Sequence, residues 1–274
     1  MTVIIVHGLE GSVESQYVIG TGSKAWAAGM NVVRMNMRNC GNTETLTPTL
    51  YHSGLSADLG AVVAELIRED RLEKIAIVGF SMGGNLALKL AGEWGGDAPA
   101  QVKAVATVSP AADLAASADA LHSWANRIYE IKFLMGLRRR FRRKALLFPD
   151  RYDAAHLKFF ASIRDFDDRI TARYEGFAGA DDYYARASAA RVIDHIQVPT
   201  LVIHAQDDPF IRILPETRAK LTANPAVCLI ETAHGGHCAF LADPMGYDGR
   251  WAEQVAVQFI SERMDRAMPK NGKL

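Results

Sequence analysis

Few cysteines, no excess of charge and no long apolar run mark this sequence, and each shortage excludes a class of protein. The three cysteines, Cys40, Cys228 and Cys238, are odd in number and lack the paired spacing of a disulfide framework or a zinc site. A reducing, cytoplasmic compartment is the expectation. Lys plus Arg and Asp plus Glu are both 31 in 274 residues, giving a formal net charge of +0. Nothing in that balance draws nucleic acid, so any attraction to an anionic partner must be local. No apolar run is long enough to span a bilayer, so no integral membrane segment is expected. The opening Met1-Thr2-Val3-Ile4-Ile5-Val6-His7-Gly8 has no basic region and reads as strand and turn rather than signal peptide or anchor. Internal repeats and low-complexity linkers are also missing. Apolar residues, by contrast, make up 49% of the chain, enough for one large α/β domain over 1–274 that carries an insertion.

The stretch that organises the rest runs from Ile75 to Leu90. A buried-strand run, Ile75-Ala76-Ile77-Val78, leads into Gly79-Phe80-Ser81-Met82-Gly83-Gly84 and then a helix. This is a G-x-S-x-G pattern at a strand-to-helix turn, where a serine sits in a strained conformation that pushes its hydroxyl out of the sheet. Only small neighbours fit such a turn, and Gly79 and Gly83 supply them. Ser81 is the candidate nucleophile. The pattern lacks the Gly-Lys-Ser/Thr ending of a phosphate loop, which argues against nucleotide binding.

Val3 to Val6 reads as a buried strand that ends in His7-Gly8-Leu9-Glu10-Gly11-Ser12. A loop after an early strand can donate one backbone N–H to an oxyanion, the residue after the nucleophile giving the other. Leu9 and Met82 are then the donors. A helix over about Ser15 to Ala28, a strand at Asn31 to Met35, a long polar loop and a helix from Ser56 to Glu69, with Ser56 as N-cap, lead to the elbow. His52 in that loop reads as an ordinary hydrogen-bonded histidine, since no ligand spacing surrounds it. Val102 to Val108 is the next buried strand, and the repeated strand-helix order implies a parallel sheet.

From Asp113 to Ser188 strand signals give way to helical segments rich in aromatics, among them Trp124, Tyr129, Phe133, Phe141 and Phe159. The span 113–188 is read as a helical lid over the catalytic end of the sheet, its aromatics serving as core or as the wall of an acyl pocket. Within it Arg138-Arg139-Arg140-Phe141-Arg142-Arg143-Lys144 is either a solvated helix face or a weak contact for anionic lipid.

The sheet resumes at Val198 to Ala205 and runs into Gln206-Asp207-Asp208-Pro209-Phe210. A carboxylate just past a strand end is where a triad acid belongs. Asp208 is preferred because it directly precedes the Pro209 turn, with Asp207 as the alternative. Val227 to Ile230 is the last strand. His237, on the glycine-rich loop that follows, is the proposed general base, and His234 is its neighbour and competitor. No further ligands suggest a metal, and no cofactor is required. A closing helix from about Arg250 to Met264 precedes a frayed tail, Pro269 to Leu274.

In the order Ser81, Asp208, His237 the sequence resembles the α/β-hydrolase superfamily. The segments His7-Gly8-Leu9-Glu10-Gly11-Ser12, Tyr51-His52-Ser53-Gly54, Gly79 to Asn85, Asp182-Tyr183-Tyr184, Asp207 to Phe210 and Gly235-Gly236-His237 look like its YheT-like branch. That branch also holds mammalian abhydrolase-domain lipases and yeast medium-chain ester synthases. The resemblance covers nearly the whole chain. It implies hydrolysis of short- or medium-chain carboxylic esters, with some members passing the acyl group to an alcohol. Members usually carry antiparallel strands and a long segment before the His-Gly loop, whereas here the loop begins within the first ten residues, so a sheet without those strands is the expectation. Asn31 to Met35 would then be an exposed edge, which predicts self-association into a homo-oligomer or a loosened acyl pocket.

The expected mechanism is that of a serine esterase acting on a small-molecule acyl ester. Ser81 attacks the carbonyl, His237 takes its proton, Asp208 holds the imidazole, and the Leu9 and Met82 amides bind the oxyanion. Two alternatives stay open: an alcohol acyltransferase with the same triad, and a non-catalytic scaffold that kept the fold.

Overall fold

The aliphatic runs become six strands: β1 (Thr2–Val6), β2 (Asn31–Met35), β3 (Ile75–Phe80), β4 (Val102–Val108), β5 (Thr200–Ala205) and β6 (Val227–Thr232). The computed structural model describes residues 1–157, 160–244 and 246–264, so the expected tail Pro269 to Leu274 and Phe159 lie outside the described residues. All strand pairs are parallel, in the order β2-β1-β3-β4-β5-β6. Strands covered on both faces need no polar alternation, and every residue of β1, β3 and β5 is buried. β2 and β6 are the edge strands, and Asn31 and Arg34 of β2 are exposed.

Helices close both faces. Along the chain they are α1 (Gln16–Ala27), α2 (Ser56–Arg68), α3 (Met82–Trp94), α4 (Leu114–Leu121), α5 (Arg127–Leu147), α6 (Ile163–Phe166), α7 (Arg173–Glu175), α8 (Ala180–Ala187), α9 (Pro215–Ala223) and α10 (Trp251–Met264). Val18 and Ala25 of α1 and Ala256 and Ile260 of α10 pack with Val3, Ile5 and Val78 on one face. Leu59 and Val63 of α2 and Leu86 of α3 pack with Ile4, Val6 and Ile77 on the other, in a core that continues into α4–α8.

The expected elements are present, with ends moved by a residue or two. Ser56 is a correction. It is the first residue of α2 rather than its cap, and its hydroxyl donates to Glu93 at 2.5 Å. That bond ties α2 to α3, a partner far away in sequence.

Between β4 and β5 the described residues form helices and turns only, with a π-helical turn at Asp167–Ala172 joining α6 to α7. Phe141, Phe160 and Phe166 are buried there, whereas Trp124 is 94% exposed and Tyr129 47%. Glu130, fully buried, anchors the insertion by accepting from Arg127 at 2.7 Å and from the Ile163 amide at 2.9 Å. Asn126 donates to the Pro209 carbonyl at 2.6 Å, fastening the insertion to the loop after β5. The strand order reverses between β1 and β3, so their carboxyl ends open the crevice where ligands bind in such sheets.

Candidate active site

Ser81 stands in that crevice, between the last residue of β3 and the first of α3, with φ 53° and ψ −115°. Positive φ is costly for a residue with a β-carbon. The turn around it leaves no room for alternatives. A β-carbon on Gly79 would lie 2.4 Å from the Gly83 carbonyl oxygen, and one on Gly83 would lie 2.4 Å from that of His7. The backbones of β1, β3 and α3 therefore touch, and the Ser81 N–H donates to the Val108 carbonyl at 2.9 Å.

The loop after β1 is held against this turn. A β-carbon on Gly8 would sit 3.0 Å from that of Ser81. His7, fully buried, accepts the Met37 N–H on Nε2 at 3.1 Å, so its Nδ1–H donates to the Gly8 carbonyl at 2.8 Å. Burial, first of all, pushes the His7 imidazole down to about 4, which keeps it neutral. The Gly11 amide also donates to the Gly8 carbonyl, at 3.1 Å. In a planar trans peptide the next N–H points the opposite way, so fixing the Gly8 oxygen fixes the Leu9 N–H. Met82 opens α3, and its N–H has no intrahelical acceptor. Leu9, Met82 and Ser81 line one cavity.

Asp208 and His237 are brought together. Asp208 is 2% exposed. Its Oδ1 accepts the amides of Phe210 at 3.1 Å and Ile211 at 2.9 Å, and its Oδ2 accepts from His237 Nδ1 at 2.9 Å. The Phe210 ring lies 4.4 Å from the imidazole and also lines the cavity. Asp207 and His234 pair with each other at 3.3 Å on the surface, and Asp207 accepts the Gly236 amide at 2.8 Å. Asp207 thereby shapes the histidine loop from outside.

Among the described residues no hydrogen bond joins Ser81 Oγ to His237. The Sγ of Cys238 lies 3.8 Å from His237 Nε2 and 3.8 Å from the Val108 carbonyl, the same oxygen that accepts the Ser81 amide. Burial favours the neutral imidazole, but the Cys238 sulfur and the Asp208 carboxylate outweigh it, and the His237 pKa is raised to about 10.

The cavity holds about 130 Å³ and is walled by Leu137, Phe141 and Phe166 of the insertion. One carboxylate interrupts its apolar lining. Asp167, on the π-turn, accepts from the hydroxyls of Tyr184 and Thr171, both at 2.7 Å, and burial raises its pKa to about 6. Asn85 of α3, fully buried, donates to the Ser53 and Ala187 carbonyls and accepts the Ala189 amide, joining elbow, loop and insertion. The sequence reading assigned no role to His7, Asn85, Asp167 or Cys238. Asn85 and His7 stood inside the motifs, and Cys238 stood beside His237, whereas nothing in the sequence marks a π-turn at Asp167. His52 accepts the Gly54 amide at 3.1 Å and packs edge-on against Phe177 and Tyr183.

The basic run divides between inside and outside. Arg140 pairs with Glu10 at 2.9 Å, buried Lys144 donates to the Glu44 carbonyl at 2.7 Å, and Arg138 reaches the Leu157 carbonyl at 3.2 Å. Arg139, Arg142 and Arg143 are exposed. Among the described residues no cluster of three or more His, Cys, Asp or Glu could hold a metal, and no helix is long and apolar enough to cross a membrane.

Comparison with known proteins agrees with this fold. Residues 2–244 match the alpha/beta hydrolase fold family. The chain is 35% identical over 266 residues to YheT of Escherichia coli strain K12, a protein provisionally assigned as an esterase, covering 96% of this chain and 77% of that one. It is 30% identical to the monoacylglycerol lipase of Saccharomyces cerevisiae over 94% of its own length, but spans only 58% of that protein. Among solved structures, Est1E of Butyrivibrio proteoclasticus with bound ferulic acid superposes with a TM-score of 0.59 at 17% identity, over 97% of this chain and 90% of that one, a likeness of fold. The elbow, the strand order and these likenesses place the chain in the α/β-hydrolase family, within its YheT-like branch.

Proposed function

We propose that this chain is a serine hydrolase of carboxylic esters, acting on short- to medium-chain acyl groups through an acyl-enzyme. The observation that carries the reading is a positive-φ serine beside an apolar cavity, with a buried Asp208 holding His237 on a loop whose next residue, Cys238, reaches the same Val108 carbonyl that accepts the Ser81 amide. Ser81 Oγ attacks the ester carbonyl carbon as its proton passes to His237 Nε2. Asp208 holds the Nδ1–H and stabilises the imidazolium. The Leu9 and Met82 amides receive the oxyanion, each contributing about 3 kcal/mol to the transition state. The tetrahedral intermediate collapses as imidazolium protonates the leaving alcohol, and water repeats the sequence to release the acid. In the resting geometry Cys238 lies on the Nε2 side of the imidazole, so a turn of His237 toward Ser81 accompanies substrate entry. The insertion acts as the lid, and its aromatic wall sets the acyl length accepted.

Hydrolysis of p-nitrophenyl esters from acetate to palmitate, by wild type beside Ser81→Ala, tests this. Turnover that peaks at short or medium chains and falls by about 10⁵-fold in the variant is expected, together with fluorophosphonate labelling of Ser81. A folded wild type that hydrolyses none of the esters and takes no label would refute the reading and leave the scaffold alternative.

A further inference from the structure

The outer face of α5 has no role in the chemistry above, yet its composition is unusual. Trp124, just before the helix, is 94% exposed, Ile128 82%, Ile131 47% and Met135 67%. Their spacing of four, three and four residues puts them on one stripe. Carried further at the same spacing, the stripe continues through Arg139 and Arg142, both exposed, to Leu146, 78% exposed. Lys132 lies beside it. Among the described residues Lys132, Arg139 and Arg142 have no acidic partner, whereas Arg143 approaches Glu44 at 3.8 Å. Glu130, the only acidic residue of α5, is fully buried and already paired. A chain with no net charge has thus gathered unpaired cations beside large exposed apolar side chains on one helix face. The opposite face of the same helix, through Phe133, Leu137 and Phe141, lines the cavity that holds Ser81.

We infer that the outer face of α5 docks on an anionic lipid surface, with the apolar stripe entering the headgroup boundary and Lys132, Arg139 and Arg142 lying against its charges. Charge complementarity chooses this occupant. A second copy pairing through the same helix would set basic residues against basic ones, or bury them under the other copy's apolar half, and both arrangements leave cations unpaired. A lipid surface satisfies both halves at once, since an interfacial helix takes apolar side chains inward and binds anionic headgroups through Lys and Arg. The consequence for catalysis rests on the ester-hydrolase reading: a docked α5 brings the cavity wall to the layer where acyl esters reside. The docking itself does not depend on it.

Co-sedimentation with sucrose-loaded vesicles of phosphatidylglycerol or of phosphatidylcholine tests the inference, with Ser81→Ala run beside wild type. Both proteins are expected to pellet with phosphatidylglycerol, weakly with phosphatidylcholine, and less as salt rises. Lys132→Gln/Arg139→Gln/Arg142→Gln should weaken binding by about 100-fold. Ile128→Ser/Met135→Ser should weaken it by about 10-fold or more. In both variants hydrolysis of a water-soluble p-nitrophenyl ester should equal that of wild type. Wild type that stays in the supernatant, or binds both lipids equally, overturns the inference. So does a wild-type dimer in sedimentation velocity that Ile128→Ser/Met135→Ser converts to monomer, since the stripe would then join two chains. If Ser81→Ala binds lipid while wild type hydrolyses no ester, docking stands and the esterase reading falls.

Discussion

The elbow and the outer face of α5 are opposite solutions to placing side chains in one chain. At the elbow, Met82 to Gly92 are all buried and glycines stand where three backbones touch. On α5 the large apolar residues Ile128 and Met135 face outward, 82% and 67% exposed. The first region is determined from within, because every atom there has a neighbour that would resist its displacement. The second is free to answer to something outside the chain. A substitution at the elbow should therefore damage folding or chemistry, while one on the α5 stripe should leave both intact.

The sharpest way to break that contrast is to alter the determined region by a single atom type. Asp208→Asn keeps the shape of a buried side chain whose Oδ1 accepts two amides, but removes the charge that faces His237. The imidazole loses both its orientation and the partner of its charged form, so kcat for ester hydrolysis should fall by about 10⁴-fold while the circular dichroism spectrum stays unchanged. A fall of less than about tenfold would mean that Asp208 does not orient the base.

Gly83→Ala is the next largest effect and acts on stability. The added methyl would lie 2.4 Å from the His7 oxygen and 2.5 Å from the Val6 oxygen, both backbone atoms that cannot rotate away. Overpacking of this kind costs about 3 kcal/mol, and urea denaturation should show it as a lower midpoint at unchanged slope. An unchanged midpoint would show that the elbow yields more readily than its geometry implies.

Cys238 sharpens the comparison, because it lies in the determined region but supplies tuning rather than shape. Its sulfur and the Asp208 carboxylate raise the His237 pKa to about 10 against burial. The base is neutral only above that value, so kcat/KM should climb with pH toward about 10. For stability the sign is that of a raised pKa: the charged imidazole stabilises the fold fully below its ordinary value of about 6.5, and this is lost as pH rises through the folded value. Cys238→Ala removes the sulfur and leaves burial opposed by Asp208 alone. The acid limb of the pH–rate profile should then move down by about one to two pH units, and the variant should exceed wild type at neutral pH. A profile that does not move would assign the raised value to Asp208.

The same contrast decides what could be read in the sequence. The elbow, the loop of His7-Gly8-Leu9, the Asp207-Asp208 pair and the histidine loop were legible because local geometry there demands glycines and polar residues at fixed spacing. The six strands were legible because parallel strands are apolar throughout. Asp167 was not, since a π-turn has no composition of its own and its carboxylate meets Tyr184 seventeen positions away. The Ser56 hydroxyl was misread as a cap because its partner, Glu93, lies on another helix. The basic run was legible as charge but not as direction. Arg140 and Lys144 turn inward to Glu10 and the Glu44 carbonyl, whereas Arg139 and Arg142 turn out, and only the packing of α5 against the loop 39–47 separates them.

The smallest effect belongs to the stripe and completes the contrast. Ile128→Ser/Met135→Ser removes two large apolar side chains that are 82% and 67% exposed, so the folded state loses almost no buried area. The unfolded chain loses the same exposure, and the two states change together. Serine is a poorer helix former than methionine by a few tenths of a kcal/mol and about equal to isoleucine, and this is the main term left uncancelled. Thermal denaturation should move by no more than the equivalent of about 0.5 kcal/mol per substitution. A larger loss would mean that these side chains are covered in solution, by a second copy or by a rearrangement of the helices between β4 and β5, and the α5 face would then belong with the elbow among the regions determined from within.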